Sequence, residues 1–284
     1  MYTFLISTDT GSDLTKDYCR EHEIAMLPLP VTLDGVIHED LDVYDFYEKL
    51  RGGAMPTTSA ANLEDTAALF RSILSRGQDL LHIAFSSGLS SSSDTAFIAA
   101  EHVREEFPER KLVVIDSLCA SLGHGLLVHK AVKARAAGKT LEETAAYIES
   151  IKGNIVHNFT VDDLNHLHRG GRVSKATAVV GSLMGIKPVL HVDDTGHLVS
   201  VGKARGRKAA ILALVNRMEE QAQGFENPEV FISHGDCPED AEYLAGLVRE
   251  RFGIEDIRIG YIGPTIGTHS GPGTLALFFL GNPR

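Results

Sequence analysis

Three segments of this chain gather hydroxyls next to glycine or proline, where they could hold an anion. Thr57-Thr58-Ser59 follows Pro56, and Ser86-Ser87-Gly88-Leu89-Ser90-Ser91-Ser92-Ser93 holds six serines. The third runs from Gly263-Pro264-Thr265 through His269-Ser270-Gly271-Pro272-Gly273. Hydroxyls and unpaired backbone N–H groups at a helix start form an anion site. Ser and Thr are also ordinary N-caps, and for one such segment alone the cap is the better reading. Three in one chain favour a site. In the third segment, glycine and proline turns can aim the His269 imidazole, or leave it bonded to its own loop. Gly170-Gly171-Arg172 and Lys203-Ala204-Arg205-Gly206-Arg207-Lys208 add cations, read either as a carboxylate or phosphate clamp or as a solvated basic face. For Arg207 and Lys208, at a helix start, the solvated face is preferred.

Other chemistries lack their motifs. The Walker pattern fails because Lys133 stands where Gly138-Lys139-Thr140 would need its leading glycine, and GxGxxG does not occur. Gly181-Ser182-Leu183-Met184-Gly185 only superficially resembles a hydrolase elbow, and Ser200-Val201-Gly202-Lys203 matches SxxK at a strand edge. His166-Leu167-His168 and the His124/His129 pair have no HExxH or carboxylate cluster beside them, so no metal and no cofactor are expected. Most of the thirteen histidines read as surface or capping residues.

With 284 residues, 43% of them hydrophobic, the chain can bury a sizeable core, and its length fits two domains. A formal net charge of −11 argues against nucleic-acid binding. No apolar stretch is long enough to span a membrane, and the N-terminus turns polar before a signal-peptide core forms. A cytoplasmic location is expected. Cys19, Cys119 and Cys237 lie about a hundred residues apart and read as isolated buried thiols.

The elements that must position these segments show as alternating patterns. Thr3–Ser7, Ala25–Leu33, Leu80–Phe85 and Leu112–Asp116 read as strands, and Leu14–His22, Leu63–Ser75, Ser90–Glu106 and Ala120–Ala136 as helices. Such alternation predicts an α/β layer on a mostly parallel sheet. Thr140 and Glu143 form a capping box for the next helix. Further on, strands are expected at Ile155–Val161, Val230–Ser233, Ile257–Ile262 and Leu275–Leu280, the last two flanking a glycine-rich turn. Asp162–His168, Arg207–Gln221 and Ala241–Arg251 read as helices, while Lys187–Val192 and Leu198–Val201 read as a hairpin across Asp193-Asp194-Thr195-Gly196. The prediction is two α/β domains, residues 1–153 with a mostly parallel sheet and 154–284 with a mixed sheet, and a ligand cleft between them. Ligands in such sheets bind beyond the carboxyl ends of strands.

Taken in order, these motifs resemble the DegV family of bacterial fatty-acid-binding proteins, the lipid-carrying subunits of fatty-acid kinase. The resemblance rests on Asp9 with Ser12-Asp13, Pro56-Thr57-Thr58-Ser59, Ser86-Ser87-Gly88-Leu89-Ser90, Asp116-Ser117, Gly170-Gly171-Arg172-Val173-Ser174, Lys187-Pro188 and the Gly263–Gly273 segment. It implies a fatty-acid carboxylate held by Thr58 and Ser90, with neighbours Ser59, Ser87 and Ser91, and His269 beside the head group. It implies that Arg172 and Arg205, near the mouth, pass the ligand to the kinase. The implied partners are a long-chain fatty acid and a fatty-acid kinase protein, with acyl phosphate feeding phospholipid metabolism. No nucleic acid, no membrane span and at most transient membrane-surface contact are expected. The chain departs from the family at Ser91-Ser92, where Gly-Thr is usual, and at Ala60-Ala61, where Gln-Pro is usual.

Two readings follow. In the first the chain is a carrier and not an enzyme. Burying methylenes at ~0.8 kcal/mol each gives a sixteen-carbon tail on the order of 10 kcal/mol. Leu183, Met184, Ile186 and Leu190 could line its tunnel, although most such residues are core. The second is a serine-dependent hydrolase or acyltransferase, with Ser90 as nucleophile, His269 as base and Asp9 or Asp116 orienting the histidine.

Overall fold

Aliphatic runs bounded by polar segments fold as the strands of a first sheet: β1 (Phe4–Asp9), β2 (Ile24–Leu27), β6 (Asp79–Ala84) and β7 (Leu112–Asp116). They lie in the order β2-β1-β6-β7, all parallel. The computed structural model describes residues 3–174 and 185–282.

The expected strand Ala25–Leu33 is in fact two. Pro28 and Pro30 cannot donate to a ladder, and beyond them β3 (Val31–Leu33) joins a separate antiparallel sheet with β4 (Val36–His38) and β5 (Thr57–Thr58). Asp34 and Gly35 make its hairpin turn with φ of 53° and 79°, the pattern an Asp-Gly pair favours. That pair was the overlooked signal. Helix α2 (Val43–Arg51), capped by Asp42, is also absent from the sequence reading.

The second sheet runs β10-β9-β8-β13-β11-β12. It comprises β8 (Ile155–Thr160), β9 (Ile186–Val192), β10 (Leu198–Arg205), β11 (Glu229–His234), β12 (Asp256–Tyr261) and β13 (Leu275–Leu280). Only β11 and β12 pair in parallel, so the sheet is mixed, as expected. The β9–β10 hairpin forms with Leu198 opposite Val192.

The glycine-rich turn at 263–273 contains a helix instead, Pro264–Ser270. Pro264 at its first position has the φ a helix start needs, and Gly271, at φ 76°, ends it. The Thr140/Glu143 capping box is present and opens α6 (Leu141–Ile151).

Helix α5 (Ser121–Ala136) joins the two sheets. It contacts β1 of the first and β8, β11 and β13 of the second, with α6 packed on it. Glycines at its start permit the approach: a Cβ on Gly123 would stand 2.3 Å from His157 Nε2, and one on Gly125 2.7 Å from the Ser12 carbonyl. One hydrophobic cluster accordingly includes Phe4, Leu81, Leu127, Phe159, Phe231 and Phe278.

Several histidines read as surface or capping residues are core groups with partners. His82 bonds Ser7 (2.8 Å), His124 bonds Thr8 (2.9 Å), and His129 links Tyr18 (2.5 Å) to Glu229 (2.8 Å). Burial lowers the pKa of His82 to about 3 and keeps His124 neutral-favouring. Cys19 and Cys119 are buried and Cys237 partly so, all as free thiols.

Buried Glu229 also receives Lys130 (2.7 Å) and Lys133 (2.8 Å). Against the opposing cost of burial, hydrogen bonds from His129, Lys130 and Lys133 hold its carboxyl well below the usual range. Truncating one partner strands buried charge, so Glu229→Ala should cost roughly 3–5 kcal/mol of stability in urea denaturation. A loss below about 1 kcal/mol would show the network contributes little.

Candidate functional site

A cavity of about 310 Å³ opens where the loops after the first-sheet strands face the second sheet. That volume sits at the lower end of the roughly 300–1,000 Å³ common for small-molecule sites. Its wall is largely apolar, from Leu29, Phe85, Phe159, Val192, Ile262 and Phe278 among others. Thr58, Ser59, Ser90, Ser91, Arg172 and His269 are also in the wall. The chain thus brings together six of the eight expected site residues from four separated segments.

Thr58 reaches the wall because β5 pairs with β3, placing it opposite Val31. Its hydroxyl lies 2.7 Å from Nε2 of His269, which sits in the last turn of the Pro264–Ser270 helix. Gly170 backs the imidazole so closely that a Cβ there would stand 2.2 Å from Nδ1. Glycine at 170 is therefore required by close approach rather than by conformation, its φ being −71°. Burial first, and the Arg172 guanidinium second, lower the pKa of His269 to about 4. The imidazole is neutral at pH 7.

Arg172 binds backbone instead of a carboxylate. Nε and one terminal nitrogen donate to the Leu89 carbonyl at 3.1 and 2.9 Å, and the other terminal nitrogen to that of Gly170. The guanidinium thereby ties the Gly-Gly-Arg turn to the serine loop and brings a positive charge to the wall.

The serine loop is shaped from within. Ser86, fully buried, accepts the Gly88 N–H at 3.2 Å and donates to the Gly196 carbonyl at 3.0 Å. Gly88 packs on the β9–β10 turn with no room for a side chain, since a Cβ would meet Gly196 backbone at 2.5 Å. Ser90 accepts the Ser92 N–H (3.2 Å), its oxygen 2.9 Å from that of Ser92, at the start of helix Ser92–Glu106. Below the loop, Asp9 accepts the Phe85 and Gly11 N–H groups at 2.7 and 2.9 Å.

Two expected residues lie elsewhere. Ser87 is exposed and its N–H donates to Asp116 (3.1 Å), which turns the residue out of the loop. Arg205 ends β10 opposite Ile186 and is exposed. Of the apolar candidates, Leu190 is core, Ile186 is half-buried off the cavity wall, and Leu183 and Met184 fall outside the described residues. Sequence reasoning missed Ser121, Ser233 and His157 as wall residues, while Ser270 lies in the third hydroxyl segment that it singled out. For Ser233 the signal existed: it stands near the carboxyl end of a strand, and Ser121 stands at the start of the helix that follows one.

Ser90 and His269 share the cavity without pairing, because His269 Nε2 is bonded to Thr58. Asp9 and Asp116 carry backbone N–H groups instead of orienting His269. Among the described residues no group of His, Cys, Asp and Glu side chains could hold a metal ion, and no helix is long and apolar enough to cross a membrane.

The low pKa of His269 sets a sign for stability. The unfolded chain takes up a proton near 6.5 but the folded one only near 4, so this group's stabilisation is present above 6.5 and lost as pH falls towards 4. Histidine NMR should show His269 titrating near 4, and nearer its ordinary value in Arg172→Ala. Titration at its ordinary value in the unaltered protein would contradict the burial described.

The family model described as "Uncharacterised protein, DegV family" matches residues 3–282. A DegV domain-containing protein of Clostridium perfringens is 40% identical, covering 100% of this chain and 99% of its own. Among solved structures, a fatty-acid-binding DegV family protein from Thermus thermophilus superposes with a TM-score of 0.87 at 30% identity, covering 99% of this chain and 100% of its own. DegV of Bacillus subtilis, a fatty acid binding protein, does so with a TM-score of 0.84 at 28% identity, with the same coverage.

Proposed function

The chain belongs to the DegV family, and from that premise we propose that it binds a long-chain fatty acid and presents the carboxyl group to a separate fatty-acid kinase. The observation that carries the reading is one apolar cavity whose wall includes Thr58, Ser90, Ser91, a neutral His269 and a guanidinium that, among the described residues, donates to backbone carbonyls. The similar proteins of Thermus thermophilus and Bacillus subtilis, which bind fatty acids, support it.

Burial supplies the affinity, at ~0.8 kcal/mol per methylene, against ordering costs. Most of that gain would be cancelled by a carboxylate left without donors. In this reading Thr58 and Ser90 supply hydroxyl donors, with Ser59 and Ser91 beside them and His269 holding Thr58 in place. The positive charge of Arg172 offsets part of the carboxylate's desolvation. None of these groups transfers a phosphoryl group, so the acyl oxygen is left for a partner to phosphorylate. The chain is a carrier in this account, with residues 1–153 and 154–284 as its two domains. Arg205, exposed and off the cavity, fits contact with the kinase. A hydrolase built on Ser90 and His269 has less support, since each bonds a different neighbour.

Native mass spectrometry of the protein purified from a bacterial host, followed by organic extraction, should find about one fatty acid per chain. Thr58→Ala or Ser90→Ala should weaken binding about tenfold each, the worth of one hydrogen bond. An empty protein that takes up no added fatty acid would sink the reading. For the partner, Arg205→Ala should leave fatty-acid affinity unchanged and slow phosphorylation by a bacterial fatty-acid kinase with ATP. Unchanged phosphorylation would remove Arg205 from the contact.

A further inference from the structure

His269 reaches Thr58 from a short helix, and one peptide unit sets that helix at its start. The Ile262–Gly263 peptide is gripped at both of its polar groups. Its carbonyl accepts the Tyr47 hydroxyl at 2.9 Å, and its N–H donates to Asp13 Oδ1 at 3.0 Å. Tyr47 is a buried residue of α2 and Asp13 follows β1, so both grips come from the first half of the chain. Gly263 brings no side chain to cap the helix, and Pro264 brings no N–H. Contact with the carboxyl group is close enough to exclude a larger residue, since a Cβ on Gly263 would stand 2.8 Å from Asp13 Oδ1.

The other oxygen of Asp13 accepts the Ser121 hydroxyl at 2.5 Å, at the start of α5. One carboxyl group therefore fixes the chain after β1, the first turn of α5 and the entrance to the His269 helix relative to one another. Asp13 and Ser121 both have left-handed backbone, with φ of 52° and 54°. Residues other than glycine hold such conformations only where the surrounding structure imposes them. The next anchor on the helix is weaker: the Thr265 hydroxyl lies 3.3 Å from the Leu29 carbonyl and 3.2 Å from the Thr10 hydroxyl. The lever is short but sufficient. From Pro264 to His269 the helix rises about 7.5 Å, so a tilt of about 10° at its start moves the imidazole by roughly 1.3 Å. That carries the 2.7 Å contact with Thr58 beyond hydrogen-bonding range.

We propose that Asp13 is a positioning residue of the cavity: through the Ile262–Gly263 peptide it aims the helix that brings His269 to Thr58. It is not a wall residue and acts on the site through that helix. The effect on affinity rests on the fatty-acid reading, while the effect on His269 does not.

The test compares Asp13→Ala, Asp13→Asn and Gly263→Ala with the unaltered protein, by histidine NMR and by palmitic acid binding at a pH of about 8.5. Asp13→Ala should raise the titration of His269 from about 4 towards its ordinary value, because the imidazole leaves its buried seat. Desolvation raises Asp13 itself to about 7, so it is uncharged where His269 titrates and the shift reports geometry. Palmitic acid should bind Asp13→Ala about tenfold more weakly. In a Thr58→Ala background the same substitution should cost less than about twofold, since the contact it protects is already gone. Asparagine still offers an oxygen to Gly263, so Asp13→Asn should keep His269 near 4 and palmitic acid affinity within about threefold.

If Asp13→Ala keeps His269 near 4, leaves palmitic acid affinity unchanged, or loses affinity independently of Thr58→Ala, the positioning role is overturned. Should Asp13→Ala fail to fold, Gly263→Ala decides. Gly263 has an ordinary φ of −68°, and the neighbour an added Cβ would meet is Asp13, so this change pries the carboxyl group from the peptide. An upward shift of His269 there upholds the role, and an unmoved one overturns it. If palmitic acid binds none of the proteins while the His269 shift appears, the fatty-acid reading falls and the positioning role stands.

Discussion

Helix α5 is buried on nearly every face, and both sheets depend on it. A surface helix needs an apolar stripe on one side only, but here 14 of the 16 residues are buried. The sequence meets that demand with small residues where backbone comes near and with polar residues where the neighbours can answer them. Gly123 and Gly125 admit His157 and the Ser12 carbonyl. His124 meets Thr8, and His129 and Lys130 meet Glu229. Because the same helix starts at the cavity wall with Ser121, the packing that joins the sheets also sets one side of the site.

The site is assembled by close approaches more than by strong bonds. Gly170 against His269 and Gly88 against Gly196 are places where a single methyl group would push the wall out of shape. Charge is handled in the same economical way. Among the described residues Arg172 gives its donors to the carbonyls of Leu89 and Gly170 and meets no acidic side chain, and its charge helps keep His269 neutral. A neutral imidazole can hold a hydroxyl in either hydrogen-bond direction, which a charged one cannot.

Much of this was legible beforehand. Strand–helix alternation announced the parallel sheet, and the Asp193–Gly196 turn announced the β9–β10 hairpin of the second sheet. Three hydroxyl-rich segments pointed to Thr58, Ser90 and His269, which do share a wall. What escaped depended on information not local to a segment. The helix at Pro264–Ser270 was hidden by its glycines and prolines, whose turn propensity is real but yields to packing against β3 and β5. The buried histidines read as surface because nothing near His82, His124 or His129 in sequence reveals the partner that makes burial tolerable. For His124 that partner is Thr8, more than a hundred residues away.

That remoteness has a consequence for how the protein is born. Thr58 receives His269 from a point 211 positions later in the chain, and Ser86 receives Gly196 from 110 positions later. At about 5–20 residues per second, a ribosome that has made the first half of the wall needs roughly ten to forty seconds more to deliver the histidine that completes it. Leu29, Phe85 and Leu89 wait through part of that interval for Leu198 and Ile266, which pack against their cluster. No ligand of this cavity can meet a complete wall before His269 arrives, so the early stages of folding proceed without one.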